Sequence, residues 1–260
     1  WRCPGGVFTK REVTPGRGHR RPRDGARCLV RFSLARGAAA GSINPDVWLE
    51  VIIGEGDTDV GNALDWCLET MRRGEVCELR LHLSPPRPPP LRVELRGFTH
   101  EPEWWQMDAE ARWSRALHHK ERGAARFSEG LARAAAWRYA KALRILLPLR
   151  PPRLPADRFR PLAAALYANA AACQLRLGQP RNAVASCGRA LELVPGSAKW
   201  LHRRATALAL GELEAARSDL ELALSAEPRN AAVHAAMRGV RAREREEATR
   251  LGRALSKMFV

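Results

Sequence analysis

The spacing of apolar residues changes partway along the chain. Up to about residue 98 they come in short bursts. Segments 28–34, 48–53, 77–83 and 91–98 each carry alternating or β-branched apolar positions over a few residues, which predicts strands. Val60, Leu64, Leu68 and Met71 recur at helical spacing and predict a helix over residues 60–73, with Gly74 as its stop. The proline run at 84–90 can be neither helix nor central strand and reads as a connector. Together these segments predict a small antiparallel sheet with one helix packed on it. Beyond residue 99 the pattern turns helical. A polar stretch at 101–117, with Trp104, Trp105 and Trp113, leads into Ala-, Arg- and Leu-rich helix formers that continue to Val260.

The helical half repeats itself. When Gly130, Gly178 and Gly211 are aligned, Ala135, Ala183 and Ala216 fall five residues on. Ala142, Ala190 and Ala223 follow seven later, and Pro195 and Pro228 five beyond the last two. Gly suits the turn between paired helices, the alanines let those helices approach closely, and Pro ends the second helix. This is the tetratricopeptide pattern. Repeats two and three are offset by 33 residues against a usual 34, with the shortfall after Arg204 in the first helix of repeat three. The larger offset between repeats one and two comes from a proline-rich insert running from Pro148 to Asp157. The expected organisation is a β domain at 1–98, a linker at 99–112, three repeats at 113–240 and a helical extension at 241–260.

Composition narrows the function classes. The formal net charge is +16. A basic surface can bind phosphate by counterion release, but the charge is scattered and no nucleic-acid motif is present, so an acidic protein partner fits better. Six cysteines (Cys3, Cys28, Cys67, Cys77, Cys173 and Cys187) form no CxxC pair or Cys/His cluster, which predicts no structural zinc and a reduced, cytoplasmic or nuclear setting. No apolar run is long enough to span a bilayer and no signal peptide is visible. Neither a cofactor nor a membrane partner is expected.

Stacked repeats make a superhelix whose first helices line a groove. Lys120, Asn169, Lys199 and Arg203 are the candidate anchors there. Lys199 and Arg203 are four apart and share a helix face. Asn169 is the only Asn in the apolar segment 166–173, and an unsatisfied amide facing core would cost about 1–3 kcal/mol. It is therefore expected to face the groove. Cations and an amide converging from neighbouring helices can hold a terminal carboxylate by charge-assisted hydrogen bonds.

The strings Lys120-Glu-Arg-Gly-Ala-Ala-Arg-Phe127, Asn169-Ala-Ala-Ala-Cys173 and Lys199-Trp-Leu-His-Arg-Arg204 resemble the repeat domain of the large immunophilins. The segment 253–259 resembles the end of those proteins. Domain order agrees over nearly the whole chain, and the nearest likeness is to divergent immunophilins with a degenerate isomerase domain. The resemblance implies an α+β two-domain protein: a degenerate FKBP-like β domain followed by an all-α tetratricopeptide-repeat superhelix. It further implies a carboxylate clamp for the Glu-Glu-Val-Asp tail of the Hsp90 chaperone, with clients such as steroid receptors or cell-cycle inhibitors. Lys120, Asn169, Lys199 and Arg203 match four of the five clamp positions. The fifth, usually Asn or Thr, is Ala124 here.

The same resemblance argues against catalysis. The isomerase pocket twists a prolyl bond within an aromatic cage. Leu64 stands where the family has its floor Trp, the short proline run at 84–90 replaces the loop carrying a pocket Tyr, and 28–37 offers no matching Phe-Asp pair. The expected function is a non-catalytic Hsp90 co-chaperone. The alternatives are an active peptidyl-prolyl isomerase and a repeat scaffold for another acidic ligand. His118 and His119 lack metalloprotease spacing with Glu121 and are expected on a solvated helix face.

Overall fold

The computed structural model describes residues 1–34, 47–82, 89–100, 102 and 105–256. Trp104, most of the proline run and the terminal Lys257-Met-Phe lie outside them. The chain divides into two compact units, Trp1–Gln106 and Met107–Val260.

The first unit is a five-stranded antiparallel sheet with one helix. The strands are β1 (Phe8–Thr14), β2 (Arg27–Leu34), β3 (Trp48–Ile52), β4 (Val76–Leu81) and β5 (Leu91–Thr99), arranged β1-β4-β5-β2-β3. Four of them coincide with the expected segments. Strand β1 was not expected, because only Phe8 and Lys10 point inward along it and one of those is a cation. Lys10 is buried because its ammonium meets the Glu75 carboxylate at 2.5 Å and donates to Thr70 Oγ1 at 3.0 Å. A buried charge is tolerated only when paired in this way.

Helix α1 spans Asp59–Glu69. The Thr58 hydroxyl accepts from the Gly61 N–H and caps its start. It ends at Thr70, short of the expected 73, so Gly74 is not its stop. Gly74, at φ +76°, instead turns the chain into β4 while its N–H donates to the Leu95 carbonyl. Leu68 and Met71 are fully buried with Phe8, Val30, Leu79, Val93 and Leu95. The β3–α1 loop is held by Asp65, whose Oδ2 accepts from the N–H groups of Gly54 and Gly56 at 2.9 and 3.1 Å. Gly56 passes so close to Gly61 that a Cβ would lie 2.6 Å from a main-chain carbon, so only glycine fits.

The second unit is helical: α2 (Ala109–Ser128), α3 (Ala132–Leu146), α4 (Ala156–Arg176), α5 (Pro180–Leu193), α6 (Ala198–Leu208), α7 (Leu213–Ala226) and α8 (Ala231–Ser256). With β5 reaching Thr99 and α2 starting at Ala109, the connection between the units is shorter than the linker placed at 99–112. Helix α8 also crosses residue 240 without a break. Helices pair as α2/α3, α4/α5 and α6/α7, and α8 packs on α7. All six aligned alanines, at 135, 142, 183, 190, 216 and 223, are fully buried.

Gly130 and Gly178 sit at φ +82° and +69°, and the residue after each donates back to the carbonyl five earlier, the left-handed close of a helix. Gly211 is not in the left-handed region. Here Glu212 donates to the Leu208 carbonyl only four back, and α6 ends three residues before its glycine rather than two. The helix ends Arg176 and Leu208 lie only 32 residues apart, so the missing residue falls within α6.

Candidate functional site

The four candidate anchor residues lie on the first helices of the three repeats. Lys120 stands on α2 and Asn169 on α4, both half-buried. On α6, Lys199 is exposed and Arg203 half-buried. Arginines stitch these helices side by side. Near the start of the α2–α4 seam, Arg158 forms a two-point pair with Glu110 at 2.6 and 3.1 Å and lies 4.8 Å from the Trp113 ring centre. That pairing lowers the Glu110 carboxyl below its ordinary range. Near the other end, Arg176 donates to the Phe127 carbonyl at 2.9 Å while its guanidinium sits 3.7 Å over the Phe127 ring.

Between α4 and α6 the tie is Arg203 itself, whose Nη1 donates to the Ala168 carbonyl. Ala168 immediately precedes Asn169, so the third-repeat guanidinium meets the α4 backbone one residue from the second-repeat Asn. Burial lowers the Arg203 guanidinium from its ordinary value, yet a guanidinium stays charged throughout the working pH range. Lys199 precedes Arg203 by one turn and projects into solvent. Ala124, one turn beyond Lys120, is exposed.

Next to Arg203, Arg204 turns the other way. It forms a two-point pair with the buried Asp219 of α7 at 2.6 and 2.7 Å. The adjacent pair Arg203-Arg204 thus anchors α6 to both α4 and α7, a role that only the structure reveals.

The charge is uneven. From Met107 onward there are 28 Lys and Arg against 14 Asp and Glu, a net +14, whereas residues before it carry only +2. Some of that charge is internal. His119 does not face solvent as expected; it is buried against α3, with its Nδ1 3.3 Å from Arg138 Nη1. Arg138 and Lys141 are buried with it. Burial, with Lys141 and Arg138 beside it, lowers His119 to about 3, so the imidazole is neutral near pH 7. His118 is exposed. Three polar residues turned inward leave no signal in an apolar pattern.

In the first unit Leu64 is half-buried against the core with Phe32, Leu34 and Val60. A concavity of about 810 Å³ opens elsewhere on this unit, lined by His19, Arg20, Arg21, Arg23, Glu69 and His100 among others. Among the described residues its wall holds no Phe, Tyr or Trp. No helix among the described residues is long and apolar enough to cross a membrane.

A five-stranded immunophilin-type sheet followed by paired helices with coincident alanines defines an immunophilin carrying tetratricopeptide repeats. The chain belongs to the FK506-binding protein-like family. It is 40% identical to the mouse FK506-binding protein-like protein over 263 residues, covering 100% of this chain and 73% of that one. It is 28% identical to the human peptidyl-prolyl cis-trans isomerase FKBP4, over 98% of this chain and 58% of that one. Among solved structures it is similar to the C-terminal repeat-containing domain of a Plasmodium falciparum FK506-binding protein. That likeness has a TM-score of 0.53 at 19% identity, over 56% of this chain and 99% of the other. No protein-family model matches the chain.

Proposed function

We propose that the repeat unit clamps the acidic C-terminal carboxylate of the Hsp90 chaperone through Lys120, Asn169, Lys199 and Arg203. The chain acts as a non-catalytic co-chaperone in the cytoplasm and nucleus. It links the chaperone to clients such as steroid receptors or cell-cycle regulators.

The observation that carries this reading is the Arg203–Ala168 bond, which sets a partly desolvated cation beside Asn169 with the exposed Lys199 one turn away. Charge-assisted hydrogen bonds strengthen as water is excluded. A net +14 over the same unit favours the approach of an acidic segment. The case against isomerase chemistry rests on Leu64 at the floor-Trp position, since without an aromatic cage nothing favours the twisted amide over the planar one.

The test is calorimetric titration with a peptide ending Met-Glu-Glu-Val-Asp. A C-terminally amidated copy and a Lys199→Ala/Arg203→Glu double variant serve as controls. Micromolar binding, roughly −7 to −8 kcal/mol, that vanishes in both controls is the expected result. Binding indifferent to amidation would move the reading to a scaffold for another acidic ligand. Turnover of a proline peptide would restore the isomerase.

A further inference from the structure

Three sulfur atoms meet inside the first unit. Cys67 Sγ lies 3.8 Å from Cys77 Sγ, and Cys77 Sγ lies 3.8 Å from Met71 Sδ. Cys67 is in the last turn of α1, Met71 is four residues on, and Cys77 is the second residue of β4. All three residues are fully buried. We propose that Cys67, Cys77 and Met71 form a binding site for copper(I).

The argument begins with geometry. Metal–thiolate bonds are about 2.3 Å long, which sets two sulfurs on one tetrahedral ion about 3.8 Å apart. Each of the two spacings found matches an edge of such a coordination polyhedron. Ligand softness selects the ion. Two thiolates and a thioether suit copper(I), whereas among the described residues no imidazole or carboxylate completes a set for a harder divalent ion. Burial excludes competing water and oxygen.

The surrounding hydrogen bonds fix the site as well. Binding forms three S–Cu bonds, two from thiols that each give up a proton to solvent and one from the neutral Met71 thioether, leaving a complex of net charge −1 with no change in oxidation state. The Lys10 ammonium stands nearby, paired with the Glu75 carboxylate at 2.5 Å. It donates to Thr70 Oγ1 at 3.0 Å, and the Thr70 hydroxyl donates to the Cys67 carbonyl at 2.7 Å. This chain of hydrogen bonds holds the helix end carrying Cys67. The ion enters when the last turn of α1 opens, or during folding.

The test is anaerobic titration of the full chain with copper(I) held by a chromophoric chelator, with native mass spectrometry for stoichiometry. One copper per chain is expected, and x-ray absorption should show a sulfur-only shell. Cys77→Ser should abolish binding. Met71→Leu preserves core volume, so it keeps the fold and should weaken binding about tenfold or more. Cys173→Ala and Cys187→Ala, in the other unit, should leave it unchanged. Failure to compete with the chelator, copper retained equally by Met71→Leu and Cys77→Ser, or a Cys67–Cys77 disulfide in place of a copper adduct would each overturn the proposal. In those cases the sulfurs are in packing contact only.

Discussion

The Arg203 guanidinium donates to the main-chain carbonyl of Ala168, so a residue assigned to the ligand also holds α6 against α4. Lys199, on the same helix, is exposed. The two cations should therefore separate in mutagenesis. Lys199→Ala is expected to weaken tail binding about tenfold while changing stability by no more than about 0.5 kcal/mol. Arg203→Ala should do both. It removes a clamp cation and also the charge-assisted hydrogen bond tying α6 to α4, at about 1.5–3 kcal/mol at most. Calorimetry and urea unfolding on both variants check this. Equal effects on stability would mean that the Ala168 bond holds nothing.

Acid should loosen the repeat unit through His119. Its pKa is about 3 in the fold against an ordinary 6.5, because burial, Lys141 and Arg138 disfavour the imidazolium. Between these values the unfolded chain binds the proton and the folded chain does not. Stability is thus fully present above about 6.5 and is lost as pH falls toward 3, by up to about 1.4 kcal/mol per pH unit. Unfolding midpoints at pH 7 and pH 5 should differ less for His119→Gln than for the parent chain. An unchanged slope would place the acid sensitivity elsewhere.

Two glycines in helices predict opposite signs. Gly123 on α2 faces α3, where a Cβ would meet Tyr139 Cε1 at 2.7 Å. Gly123→Ala should destabilise by about 1–3 kcal/mol through overpacking. Gly239 on α8 is exposed with open space around it. Gly239→Ala should stabilise by about 0.5–1 kcal/mol, because alanine loses less backbone freedom on folding. Thermal unfolding of the pair reads both.

The alignment of small residues in the helical half made the repeats legible, since burial at a helix–helix crossing demands alanine at fixed offsets. All six positions are sealed. Four strands were legible for a related reason: β2, β4 and β5 bury apolar side chains on alternate positions, and β3 half-buries Trp48, Val51 and Ile52. What stayed hidden was polar and buried. Lys10 inside β1, His119 facing α3, and Arg138 with Lys141 behind it all read as surface residues until their surroundings are known. In the candidate clamp, Asn169 and Lys199 stood out by sequence context. The bond from Arg203 to a carbonyl 35 residues earlier could not, because backbone acceptors have no sequence signature.

Ala124 offers a gain-of-function test of the clamp reading. It is exposed on α2, one turn beyond Lys120, at the position where the resembling immunophilins carry Asn or Thr. An alanine methyl offers no hydrogen bond to a peptide carboxylate, whereas an amide donates one. Since Ala124 makes no buried packing, Ala124→Asn should leave the fold intact, at a propensity cost of about 0.7 kcal/mol or less. A hydrogen bond to a charged acceptor contributes about 1.5–3 kcal/mol at best, less where water competes. The expected result is tail binding several-fold to tenfold tighter than that of the parent chain, lost on amidation of the peptide. Stronger binding that ignores amidation, or no change at all, would show that α2 does not face the carboxylate, and would leave Lys120 a surface cation.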